Sequence, residues 1–100
     1  MAILERRIQK LVQDEKAYLD WEKVWETIEA RLGGFPTKRH YGLISGPAEF
    51  GTIVWEREWD SFAVMEAAYN KLFADSEAAK LGSSATSMVS SERIEYYWTF

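Results

Sequence analysis

The hydrophobic repeat of this chain alternates between the two-residue period of strands and the 3.6-residue period of helices, and no other feature limits its fold as much. From Ala2 to Gln13 the residues alternate, with Leu4, Ile8 and Val12 on one face and Ile3, Glu5, Arg7, Gln9 and Leu11 on the other. That is a strand. From residue 14 to 32 the period lengthens: Tyr18, Trp21, Val24, Trp25, Ile28 and Leu32 recur three and four apart and form one stripe of a helix. Asp14 is placed to cap its start, and Gly33-Gly34 before Phe35-Pro36 stops it.

Lys38 to Ser45 and Phe50 to Trp59 read as two further strands, joined through the Gly46-Pro47 turn as an antiparallel hairpin. Asp60-Ser61 then caps a second amphipathic helix carrying Phe62, Met65, Tyr69 and Leu72. Asp75-Ser76 restarts a short helical turn that Gly82 ends, and Ser83 to Ser87 is a small polar loop. Met88 to Phe100 alternates again, Ile94, Tyr96 and Trp98 against Glu95, Tyr97 and Thr99. The order β-α-β-β-α-β predicts an α+β, ferredoxin-like fold, a four-stranded antiparallel sheet with two helices on one face. Residues 1–100 are expected to form a single such domain.

The helices should cover the more apolar sheet face. The best set is Leu4, Ile8, Val12, Tyr41, Leu43, Ile53, Trp55, Trp59, Ile94, Tyr96 and Trp98. Alternation then sends Glu5, Arg7, Gln9, Leu11, His40, Ile44, Thr52, Val54, Glu56, Glu58, Arg93, Glu95 and Tyr97 to the opposite face. Such a face, charged yet partly apolar, suits two sheets that meet in a homodimer and enclose a chamber.

Charge and composition narrow the function classes. A net charge of −4 gives no general attraction to nucleic acid, and no apolar run is long enough to span a bilayer. The charged N-terminal stretch is not a signal peptide, so a cytoplasmic setting is expected. With no cysteine and one histidine, a disulfide scaffold and a thiolate site are excluded and a structural zinc site lacks its ligands; no loop has the regular oxygen-ligand spacing of a calcium or magnesium site, so neither a metal nor a cofactor is expected. The serines at 83, 84, 87, 90 and 91 lack a nucleophile elbow, and Gly33-Gly34 ends a helix where a phosphate loop would start one.

The candidates for chemistry are therefore few. His40 beside Glu56 or Glu58 would make a general base, and a plain polar strand residue is the simpler account of it. Glu56 and Glu58, two apart on one strand face, suit an acid–base pair or ion pairs with Arg7 or Arg93. Trp21, Trp25, Trp55, Trp59 and Trp98 could line an aromatic ligand pocket, with Trp21 and Trp55 the ligand-binding candidates, but four of the five fit the sheet–helix interface and core packing is the stronger account of them. Arg7, His40 and Tyr97 are the groups that would stabilise a substrate anion.

The segment GTIVWEREWDSF, leading a strand into a helix, the break LFADSEAAKL and the tail VSSERIEYYWTF together resemble the dimeric α/β-barrel superfamily. The likeness is to its NIPSNAP-like and antibiotic-biosynthesis-monooxygenase-like domains. It implies a homodimer whose sheets form a barrel, with a small-molecule pocket between sheet and helices or between the sheets. It also admits a cofactor-independent oxygenase acting on an aromatic or polyketide-like substrate, and a purely structural or regulatory dimer. The haem-degrading members' arrangement has no counterpart, because the one asparagine is Asn70 and the one histidine lies on a strand.

Overall fold

The computed structural model describes residues 2–46, 48 and 50–100, so Pro47 of the expected turn lies outside the described residues. The elements run β1 (Ile3–Leu11), α1 (Glu15–Leu32), β2 (Arg39–Gly42), β3 (Thr52–Trp59), α2 (Phe62–Ala74), α3 (Ser76–Gly82), α4 (Ala85–Met88) and β4 (Val89–Trp98). The expected order of strands and main helices is present. The one addition is α4, a single turn in place of the polar loop.

The sheet is antiparallel throughout, in the order β2-β3-β1-β4. β1 is central: Ile3 pairs with Trp59 and Trp98, and Ile8 with Val54 and Arg93. β2 is a four-residue edge that pairs His40 with Trp55. Helix ends follow local chemistry. Asp14 accepts a hydrogen bond from the Ala17 N–H at 2.8 Å, and Gly33, at φ +79°, lets its own N–H reach the Glu29 carbonyl. Ser61 caps α2 through the Val64 N–H, and Asp75 caps α3 through the Ala78 N–H.

The helices pack on one face of the sheet. There Ile3, Trp59 and Ala68 form one apolar cluster, and Ile28, Leu72 and Ala78 form another. Phe35 and Tyr69 pack against both clusters and join them. β4 is the outer strand, so its helix-side residues Ile94, Tyr96 and Trp98 stay partly exposed, and Phe62 stands edge-on to Tyr96 and Trp98.

Strands β3 and β4 present the expected faces, and β1 and β2 present the reverse. Ile3, Glu5 and Gln9 are buried under the helices with Arg7 beside them, while Leu4, Ile8 and Lys10 share the open face with Tyr41. Val12 falls beyond the strand and is half-exposed, and Leu43 lies past the end of β2. His40 accordingly points to the helix side, opposite to Glu56 and Glu58. The reason is physical. Both faces of β1 mix charge with hydrocarbon, so hydrophobicity alone does not choose between them; the choice is made by partners on other elements.

Candidate functional site

Those partners form a line of alternating charge under the helices. Glu92 on β4 bonds Arg7 on β1 at 2.9 Å, and Arg7 bonds Glu5 on the same strand at 2.9 Å. Glu5 bonds Arg57 on β3 at 3.3 Å, and Arg57 bonds Glu29 on α1 at 3.0 Å. Lys38, in the connection after α1, lies 3.6 Å from Glu29 and 3.4 Å from Glu22. Glu22 ends the line on His40 of β2 at 2.9 Å. Every strand and the longest helix contribute. A buried charge is tolerated only with a partner and hydrogen bonds, and here each interior member has a partner on both sides.

Glu5 is the best held. The Tyr69 hydroxyl donates to it at 2.7 Å and accepts from Arg57 Nη2 at 2.7 Å, and the Trp59 indole donates to it at 2.9 Å. Burial pushes its carboxyl up, but Tyr69, Arg7, Trp59 and Arg57 together outweigh burial and hold it below the ordinary glutamate value. Glu22 follows the same balance: burial raises it, while His40 and Lys38 bring it below that value. Glu22 is thus a carboxylate and accepts only, so His40 Nε2 carries the proton between them. For the Tyr18 and Tyr69 phenols burial prevails, their values rise, and both stay protonated. Tyr18 donates to the Gln9 side-chain carbonyl, and Gln9 donates to Glu92.

Aromatic rings insulate this line from water. The Lys38 ammonium sits 4.6 Å from the Trp55 ring centre, with Arg57 at 4.9 Å and Arg7 at 5.4 Å. Between these groups and α1 lies a pocket of about 250 Å³, lined by the rings of Trp21, Trp25, Trp55, Tyr69 and Phe73 and by Arg7, Glu22, Lys38 and Glu92. Trp21 stands edge-on to Trp25 and tilted to Tyr18, and its indole Nε1 is buried without a hydrogen-bond partner among the described residues.

The open face of the sheet carries a wider trough of about 870 Å³, lined by Ile8, Tyr41 and Val54 among charged residues. Its ion pairs lie nearer to solvent. Arg6 bonds Glu56 at 2.6 Å and covers the Tyr97 ring, and Tyr97 donates to Glu95 at 2.6 Å. The residues singled out in the sequence therefore divide. Arg7, Trp21 and Trp55 line the helix-side cavity, with His40 behind its Glu22 wall. Glu56, Glu58 and Tyr97 lie on the other face, with Glu56 and Tyr97 sharing Arg6. Glu5, Glu22, Glu29, Lys38, Arg57 and Tyr69 were not among the sequence candidates. Two signals in the sequence pointed to some of them: Arg57 stands between Trp55 and Trp59 on one strand face, and Glu22 and Glu29 sit seven apart inside the α1 stripe.

Among the described residues no group of three or more His, Cys, Asp or Glu side chains is arranged to hold a metal ion. No helix among them is long and apolar enough to cross a membrane.

The class defined by this geometry is an α+β, ferredoxin-like domain with a charged cavity between sheet and helices. No protein-family model and no curated protein matches the chain. Solved structures do share its fold. A NIPSNAP family protein from Agrobacterium tumefaciens superimposes with a TM-score of 0.81 at 16% identity, covering 100% of this chain and 94% of its own. A NIPSNAP-like domain protein from Burkholderia xenovorans does so at 0.76 and 13% identity, covering 99% and 85%. SnoaB, a cofactor-independent oxygenase from Streptomyces nogalater, reaches 0.70 at 8% identity, covering 98% and 92%. At these identities the likeness is one of fold.

Proposed function

We propose that this protein binds a small, flat, largely apolar molecule in the helix-side cavity and works as a homodimer. The observation that carries the reading is the cavity wall itself: buried ion pairs and tryptophan faces meet around about 250 Å³ of space. A domain needing stability alone is served as well by well-packed hydrocarbon there. A cavity a little under the range of drug-sized pockets takes one or two rings. Calorimetric titration with naphthalene derivatives is expected to give saturable binding at one molecule per chain. Ala85→Trp, which fills the cavity from α4, is expected to weaken it at least tenfold. Absence of saturable binding, or binding untouched by Ala85→Trp, would overturn the reading.

Binding is favoured over oxygenase chemistry by the direction of the ionisation shifts. Where the base is a carboxyl or a phenol rather than a histidine, proton abstraction needs the carboxyl raised, or the phenol lowered, toward neutrality. At this wall Glu22 is lowered and Tyr69 is raised. Oxygen uptake with phenolic substrates should stay at the background rate; uptake that disappears in His40→Ala would make the enzyme reading the correct one.

The homodimer rests on the open face, where Ile8, Tyr41 and Val54 lie among charges that pair at the surface. Two such faces packed together would bury these side chains and enclose the trough. Sedimentation at micromolar concentration is expected to give twice the 11.6 kDa chain mass, and Val54→Glu is expected to give the monomer. A wild-type monomer at that concentration refutes the dimer and leaves the cavity reading intact.

A further inference from the structure

We propose that the β2–β3 connection, residues 43–51, is an arm that reaches across to a second copy of this chain, where its Ile44 and Phe50 cover the aromatic shelf beside β4. This rests on the open-face homodimer and adds a second surface that holds the two copies together.

Two apolar sets stand in water in the single chain. On the connection, Ile44 is 96% exposed and Phe50 92%. On the helix side of β4, Ile94, Tyr96 and Trp98 are 41%, 45% and 57% exposed, and Phe62 of α2 stands edge-on to the two rings. Neither set can cover the other within one chain. The strand order β2-β3-β1-β4 puts them at opposite edges of the sheet, three strand spacings or about 14 Å apart. In a two-fold pair each copy offers both surfaces, so the contact of arm on shelf is made twice.

Three further features select a second copy as the occupant. The connection is longer than its strands require, because about two to five residues close an adjacent antiparallel pair and here residues 43–51 intervene. Its stem is tied down: the Leu43 N–H donates to the Thr52 carbonyl at 3.4 Å, and the Leu11 N–H to the Gly51 carbonyl at 2.9 Å. Ala48 of the arm and the flanking Tyr41 and Thr52 line the trough, so the arm starts at the rim of the face on which the partner lies. That face alone is thin in hydrocarbon, with Ile8, Tyr41 and Val54 set among charged groups. A stable homodimer buries about 1,200–2,000 Å² or more, of which about 65% is apolar. Arm and shelf supply the apolar area that the face lacks.

The chain has no cysteine, which makes cross-linking specific. Ser45→Cys in the arm, combined with Thr99→Cys just past β4, leaves Ile44, Phe50 and the shelf in place. In the full chain a short bismaleimide is expected to join two copies of this double variant and to join none of either single variant. Sedimentation then reads the strength of the contact. Phe50→Asp and Trp98→Asp are each expected to raise the dimer dissociation constant about tenfold or more. Together they should raise it by much less than the product of the two, because they remove one contact from its two sides. No joined pair in the double cysteine variant, a joined pair in either single one, or aspartate effects that multiply would overturn the arm and leave the dimer standing. A wild-type monomer overturns both. The cross-link decides the matter even where Trp98→Asp does not fold.

Discussion

Replacing Arg57 by methionine is expected to cost the fold about 3–5 kcal/mol, the usual penalty for removing one partner from a buried ion pair. The guanidinium is almost fully buried and gives one hydrogen bond each to Glu5, Glu29 and the Tyr69 hydroxyl. It also lies about 5 Å from the ring centres of Phe35, Trp55 and Trp59. Methionine fills much of the space but takes a charged partner from both carboxylates, leaving Glu5 to Arg7, Tyr69 and Trp59 and Glu29 to Lys38 alone. A domain of this length has about 5–15 kcal/mol of stability in all, so the loss is a large share of it. Urea unfolding should show a much lower midpoint with an unchanged slope. Arg57→Lys keeps the charge and loses the fork, and should fall between the two. Adding Glu29→Met to Arg57→Met removes the more weakly held of the two carboxylates and should restore part of the loss. A cost under about 1 kcal/mol for Arg57→Met would show that the line of charge does not hold sheet and helices together.

The same interactions explain what could and could not be read from the sequence. The ends of α1 were legible because a cap is a local matter: Asp14 acts three residues away, and Gly33 acts through its own φ. The faces of β3 and β4 were legible because Trp55, Trp59 and Ile94 are strongly apolar and sit in phase. In β1 the phase was lost. Glu5 reads as a solvated residue until Arg57 and Tyr69 are known to reach it from 52 and 64 residues away. Hydrophobic patterning assumes that burial follows hydrocarbon, and a neutralised network breaks that assumption. Val24 and Glu22 make the point within α1: the valine is 42% exposed and the glutamate 3%. A candidate site assembled on the charged face was therefore divided between two faces once β1 and β2 turned over.

Acidification is expected to unfold this protein through the same carboxylates, in a defined window. Glu5 and Glu22 ionise more easily in the fold than in the unfolded chain, so between their folded and unfolded values the unfolded state binds more protons. Their contribution is therefore complete above the ordinary glutamate value of 4.5 and is lost as pH falls below it. Each proton taken up only on unfolding tilts stability by about 1.4 kcal/mol per pH unit. Urea midpoints should be level between pH 7 and about pH 5 and should fall steeply below. Surface carboxylates such as Asp20 and Asp75, held low by Lys16 and Arg31, contribute to that fall as well, so a comparison must isolate the buried pair. Glu22→Gln does so. It keeps the shape at the end of the line and removes one titrating group, and the slope below pH 4.5 should lessen by up to that one proton's worth. An identical slope in Glu22→Gln would mean that His40 and Lys38 do not overcome the burial of Glu22, and that the carboxylate end of the line is held no more firmly in the fold than in the unfolded chain.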